Sequence, residues 1–379
     1  MATAELIVER ELASAQPWRL PARIPELDGV RGFAMFLMLI CHSSMWLPPS
    51  PWRSVLIETK LAIDLFFILS GFLITGILLD TRNDTNAIRN FYIRRGLRIW
   101  PLYFAFLLVA FVPLRRMVPP HLSAWVYLLF AQNFFYVANT GPLLDPTWSL
   151  GVEEQFYLAW PWIAMRVRRD TLLKICCAVL GLSPVVRCVF RLGGADPTFI
   201  YANTLCRMDG IAMGGAIAAW MRAEWFDAAA LRRFAWIAGS VGVLGTGFCF
   251  ASADRLRFAE ELRGSFVTVG FGGAFSFALL LQGGETFVAR TLRSFTFTGL
   301  GRISFALYLF NLPIYTAMHG HTAARLLSSL PAGMEGPTRL IVGNALLLLA
   351  AICSWNLYES PMLRLKSRWA PSNAKAVAQ

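Results

Sequence analysis

Residues 61–79 read LAIDLFFILSGFLITGILL. Asp64 is the single charge in this stretch. At about 1.5 Å of rise per helical residue, the run is long enough to cross the roughly 30 Å hydrocarbon core of a bilayer. Its meaning depends on its neighbours. Further apolar runs, bounded by charges or by Gly and Pro, lie at 30–47, 101–114, 121–137, 148–165, 175–190, 209–221, 234–251, 264–282, 303–319 and 338–358. Charged residues make up only 15% of the 379 and hydrophobic ones 56%, whereas a soluble domain carries about 25% charge. A soluble enzyme is therefore excluded. The pattern predicts an all-α, polytopic membrane helix bundle of about ten transmembrane helices, since helices satisfy their own backbone polar groups in lipid.

The 35 Lys and Arg exceed the 23 Asp and Glu, for a net charge of +12. These cations cluster between apolar runs, so membrane topology explains them better than nucleic acid does. With Arg10, Arg19, Arg23 and Arg31 in the cytoplasm, Arg82, Arg89, Arg94, Arg95 and Arg98 also fall inside. A full crossing at 121–137 would push Arg166, Arg168, Arg169 and Lys174 outside. That run, with Trp125, Tyr127 and Tyr136, is therefore expected to be re-entrant or interfacial, with both termini cytoplasmic. The expected layout is a cytoplasmic segment at 1–29, a membrane domain at 30–360, and a basic, partly disordered tail at 361–379. The N-terminal segment has mixed charges and prolines and no signal-peptide apolar centre, so the first run is expected to stay as an anchor. Seven cysteines without a CxxC spacing give no reason to expect a disulfide framework or a zinc site.

In so apolar a chain, polar groups inside the runs are the candidates for function. His42 follows Arg31 by eleven residues, which on a helix is about 16 Å along the axis and about 20° from a common face. This spacing links a cytoplasmic surface to a buried point. The plain alternative is a packed histidine and an anchoring arginine. Asp64 shares a face with Gly71 and Thr75, and Gly71 could admit a helix or a ligand closely. Arg95 and Arg98, at i and i+3 in FYIRRGLRIWPLY, suit phosphate, though lipid head groups attract such pairs too. In DPTWSLGVEEQFYLAWP, Asp145 and Pro146 read as a helix start, and Ser149, Glu153 and Tyr157 follow along one face. Glu153 could orient a histidine or hold sugar hydroxyls, or with Glu154 merely stabilise a helix N-terminus. Arg207 and Asp209 read best as a simple ion pair on a glycine-rich packing helix. His319 and His321 read as solvated loop residues.

Together these segments resemble the acyltransferase type 3 family of integral-membrane O-acyltransferases. The matching stretches are ELDGVRGFAMFLMLICH, IDLFFILSGFLIT, FYIRRGLRIWPLY, TWSLGVEEQFYLAWP, CRMDGIAMGGAIA, GRISFALYLFNLPI and LYESPMLRL, in the family's order over about 25–366. The resemblance implies transfer of an acyl group, usually acetyl, from cytoplasmic acyl-CoA to a hydroxyl of a saccharide or glycolipid, in the bacterial inner membrane. It implies His42 as the essential histidine with Arg31 as its paired arginine, Arg95 and Arg98 as the arginine motif, and Glu153 as the VEEQ acid. One departure stands out. Where the family reads LYLWHxP, this chain has Asn311, which can hydrogen-bond but cannot titrate near neutral pH.

The expected mechanism has the donor's phosphates near Arg31, Arg95 and Arg98 and His42 as general base on the acceptor hydroxyl, with Glu153 or Asp64 orienting His42 or the acceptor. An acyl-histidine route stays open. Trp148, Ser149, Tyr157, Asp209 and Asn311 are the expected acceptor contacts. Acetyl-CoA is the expected donor and membrane lipids surround the chain, with no metal needed, no nucleic-acid partner, and a homo-oligomer left open. The rival readings are a transporter or flippase of a lipid-linked saccharide, which calls for repeated halves not evident here, and an idle membrane scaffold.

Overall fold

The structure, a computed structural model, describes residues 24–135, 140–329 and 334–370. Every regular element among them is helical. The long helices are α1 (Pro25–Ser44), α2 (Ile63–Asp80), α3 (Ala87–Phe111), α4 (Thr147–Ala164), α5 (Arg169–Leu192), α6 (Thr204–Trp220), α7 (Ala228–Ala251), α8 (Ala259–Leu280), α9 (Phe295–His319) and α10 (Glu335–Ser354). Five stretches are long and apolar enough to cross a bilayer: Pro51–Asp80, which contains α2; α5; α7; α8; and Glu335–Trp369, which contains α10. The expectation of an all-helical polytopic bundle stands at that level.

The most apolar of these, ending in α2, has mean hydropathy 2.3 and is largely enclosed by other helices. By contrast, α7 turns Trp236, Val243 and Leu244 outward at 65–73% exposure. In a bilayer such side chains face lipid as apolar as themselves, so burying them against protein brings no hydrophobic gain. Close helix contact instead needs small residues. A Cβ on Gly71 would lie 1.9 Å from the Ile211 carbonyl oxygen, and one on Gly214 1.9 Å from that of Ile68. Gly71 thus admits a helix, α6, at backbone contact. Gly32 and Gly301 do the same where α1 crosses α9.

Contact order along the helices fixes their directions. Phe67, Ser70 and Thr75 of α2 meet Trp148, Glu153 and Trp160 of α4 in the same order, so the two run parallel. Tyr92 and Trp100 of α3 meet Leu158 and Glu154, so α3 and α4 are antiparallel. The link 112–146 therefore leaves and returns at the same end of the bundle. Its helix Ala124–Leu128 has 5 residues, extending about 7.5 Å, far short of a roughly 30 Å core. Tyr103 of α3 donates to the Tyr127 carbonyl at 2.9 Å, which ties this segment against the bundle. Tyr136 and residue 137 lie outside the described residues.

Several helices outrun their apolar runs. The run predicted at 101–114 is the second half of α3, which starts at Ala87 and continues through Pro101. Pro161, Pro184 and Pro313 also lie within helices. Neighbouring helices support such breaks in the backbone ladder, whereas apolar runs mark only the part of a helix facing lipid or core. Residues 1–23 and 371–379, including Arg10, Arg19 and Arg23, lie outside the described residues. The part of the tail that is described carries helices Ser360–Arg364 and Lys366–Trp369.

Candidate functional site

Helices α1, α2, α3, α4 and α9 enclose a cavity of about 100 Å³. The face expected from the i, i+4, i+8 spacing of α4 forms one wall, with Ser149, Glu153 and Tyr157 all lining it. Arg95 and Arg98 of α3 line it as well, with Arg31 of α1. The wall is held by hydrogen bonds. Tyr157 Oη donates to Ser70 Oγ at 3.1 Å, and Ser70 Oγ donates to Glu153 Oε1. Ser149 Oγ donates to Tyr308 Oη at 2.9 Å. The Arg95 guanidinium lies 5.2 Å over the Tyr157 ring, an arrangement favoured by the ring's negative face. Arg31 pairs with Asp28 at 3.5 Å. Glu153 is within electrostatic reach of both Arg31 and Arg95. Glu154, one residue on, turns away and accepts from Trp100 Nε1 at 2.9 Å.

His42 lies in the last turn of α1 and is buried. The side chain of Asn311, fully buried on α9, stands beside its ring. Asn311 Oδ1 accepts from the Leu312 backbone N–H. Asn311 follows Tyr308 by one helical turn, or about 4.5 Å along the axis. The pair therefore sits just beyond the cavity wall at Tyr308. His42 Nδ1 and Asn311 Nδ2 are both buried without a hydrogen-bond partner among the described residues. Each such group costs about 1–3 kcal/mol, a standing demand for a polar ligand at this point.

The other predicted residues lie elsewhere. Asp64 accepts from Arg207 at 2.9 Å, and both are buried. Asp209 pairs with Arg187 at 2.9 Å, also buried. The expected Arg207–Asp209 pair does not form, because residues two apart on a helix point to nearly opposite sides. Arg207 lies under three aromatic rings, those of Phe67, Trp148 and Tyr201, at 5.0–5.8 Å. Trp148 thus packs on this ion pair. Neither Asp64 nor Glu153 is bonded to His42 among the described residues; the polar side chain beside it is Asn311. His319 is the last residue of α9 rather than part of a loop, and its ring stacks on Trp46 at 3.9 Å.

Sequence reasoning did not single out Ser70, Ser304 or Tyr308, all of which line the cavity. Hydroxyls inside apolar runs are too common to signal a site. Arg187 was legible, being a charge within the 175–190 run that needs a buried partner.

Residues 24–358 match the acyltransferase domain family. The chain is 27% identical to a peptidoglycan O-acetyltransferase of Listeria monocytogenes, over 52% of this chain and 33% of that protein. It is 30% identical to a putative peptidoglycan O-acetyltransferase of Bacillus subtilis over the same shares, 52% and 33%. An O-acetyltransferase of Staphylococcus aureus is 25% identical over 79% of this chain and 52% of that protein. The chain thus spans between a third and about half of the length of these relatives. No solved structure matches it.

Proposed function

Because the chain belongs to the acyltransferase domain family, which matches it over residues 24–358, we propose that it is a membrane O-acyltransferase. It is an integral membrane protein by its five apolar stretches, and in this reading it moves an acetyl group from cytoplasmic acyl-CoA to a saccharide hydroxyl. The relatives named for peptidoglycan favour a cell-wall or other surface glycan as acceptor. The observation that carries the reading is the cavity lined by Arg31, Arg95 and Arg98 with the buried His42–Asn311 pair one turn beyond Tyr308.

The residues fit a polyphosphorylated donor. Arg95 and Arg98 have no carboxylate within 4.0 Å among the described residues, so their charge is available to an anion, and guanidinium groups bind phosphate with directional hydrogen bonds. The donor, when bound, supplies an activated thioester carbonyl. His42 takes the proton of the acceptor hydroxyl as general base and returns it to the departing sulfur. Asn311 holds the imidazole without competing for its proton. The Tyr157–Ser70–Glu153 chain keeps the wall facing the arginines rigid and polar.

The same reading has ten crossings, both termini in the cytoplasm, and the bacterial inner membrane as the location. Support comes from parity. Parallel α2 and α4, with α3 between them, require that residues 112–146 make no net crossing, and this is the arrangement that leaves the basic loops on one side.

Labelled acetyl-CoA supplied to membranes with a peptidoglycan acceptor tests the proposal. Label should pass to the glycan, and His42→Ala at an equal protein level should abolish the transfer. Full transfer by that variant would overturn the role of His42.

A further inference from the structure

The C-terminal segment after α10 returns to α3 and is fastened there. Arg94 donates through Nε and Nη2 to the Ala370 carbonyl at 3.1 and 2.8 Å, and Tyr358 Oη donates to the Pro101 carbonyl at 3.1 Å. This docking brings Lys366, half-buried, into the electrostatic field of Arg94, Arg95 and Arg98. Among the described residues, Arg95, Arg98 and Lys366 have no carboxylate within 4.0 Å. The acid felt by Arg98 is Glu359, whose Oε1 already accepts from Ser354 Oγ at 3.0 Å. Cations held together away from water repel one another unless an anion joins them. A positioning role in the fold alone would favour a neutral side chain at 366, since the segment is already held by Arg94 and Tyr358.

We propose that Lys366 is a further donor-binding residue, and that the segment 355–370 forms the outer wall of the donor site, with the ammonium group on a phosphate of the donor. This rests on the acyltransferase reading above. Arg98 lines the cavity, Lys366 does not, and the two lie in each other's field, so the lysine extends the basic wall beyond the cavity. An anionic lipid head group offers the same chemistry, and the test separates the two.

The full chain, purified in neutral detergent, is titrated with coenzyme A by calorimetry, and its transfer kinetics are measured with acetyl-CoA. Lys366→Ala should weaken coenzyme A binding and raise KM by about tenfold, the scale of one charged hydrogen bond, with kcat unchanged. Lys366→Arg should restore both. Equal coenzyme A affinity in Lys366→Ala and the parent chain overturns the inference while leaving the acyltransferase reading intact. Absence of binding to the parent chain overturns both. Repeating the titration in nanodiscs with and without phosphatidylglycerol covers the other source: a defect seen only with the anionic lipid assigns Lys366 to head groups and also overturns the proposal.

Discussion

Asn311, at the position where the family resemblance leads one to expect a histidine, stands beside His42. An amide can orient an imidazole but cannot exchange a proton with it near neutral pH, which leaves His42 as the titrating member of the pair. His42→Ala should lower acetyl transfer by at least about 100-fold, the scale of a lost general base. Asn311→Ala, which removes only the orienting contact, should cost about tenfold in kcat with little change in KM. Equal losses in the two variants would refute this division of roles. The neighbouring ion pairs, Asp64–Arg207 and Asp209–Arg187, join separate helices. Asp64→Ala leaves Arg207 buried and uncompensated, at a cost of about 3–5 kcal/mol. Thermal unfolding in detergent should show this as a clearly lowered Tm, and an unchanged Tm would mean that Arg207 finds another partner.

At the scale of elements, helix positions depend on small residues at crossings. A side chain on Gly71 meets the α6 backbone, not another side chain, so rotamer changes cannot relieve it. Gly71→Val should therefore separate α2 from α6, destabilising the fold by about 1–3 kcal/mol or more. Because α2 also carries Ser70 and Asp64, transfer should fall with it. Gly247, which meets nothing, provides the control: Gly247→Ala should leave both Tm and transfer unchanged. The periodicity of α4 correctly placed Ser149, Glu153 and Tyr157 on one face, since residues four apart on a helix align whatever they pack against. Helix lengths were less legible. The basic first half of α3 is helical because its backbone ladder continues past the apolar run, which composition alone does not register.

For the whole molecule, the direction of each helix is the testable quantity. In a background with the native cysteines replaced, Asp84→Cys in the α2–α3 turn should react with an impermeant maleimide only from the cytoplasmic side. His121→Cys, in the 112–146 link, should react only from the opposite side. Labelling of both from one face would refute the ten-crossing topology, as would a cytoplasmic His121.

The sequence by itself determined the solvent and the class of fold. With 15% charged residues and long apolar runs, only self-satisfied helices in a bilayer are stable, and this follows from composition and local periodicity. It also singled out the polar groups worth following, because each is costly in such surroundings. Which group meets which was decided only by the tertiary structure. Arg207 lies two residues from Asp209 yet pairs with Asp64, 143 positions away, and His42 meets Asn311 across the α1–α9 crossing. A buried charge or imidazole binds whatever helix packing presents to it, and that packing depends on glycine contacts and helix directions set across the whole bundle.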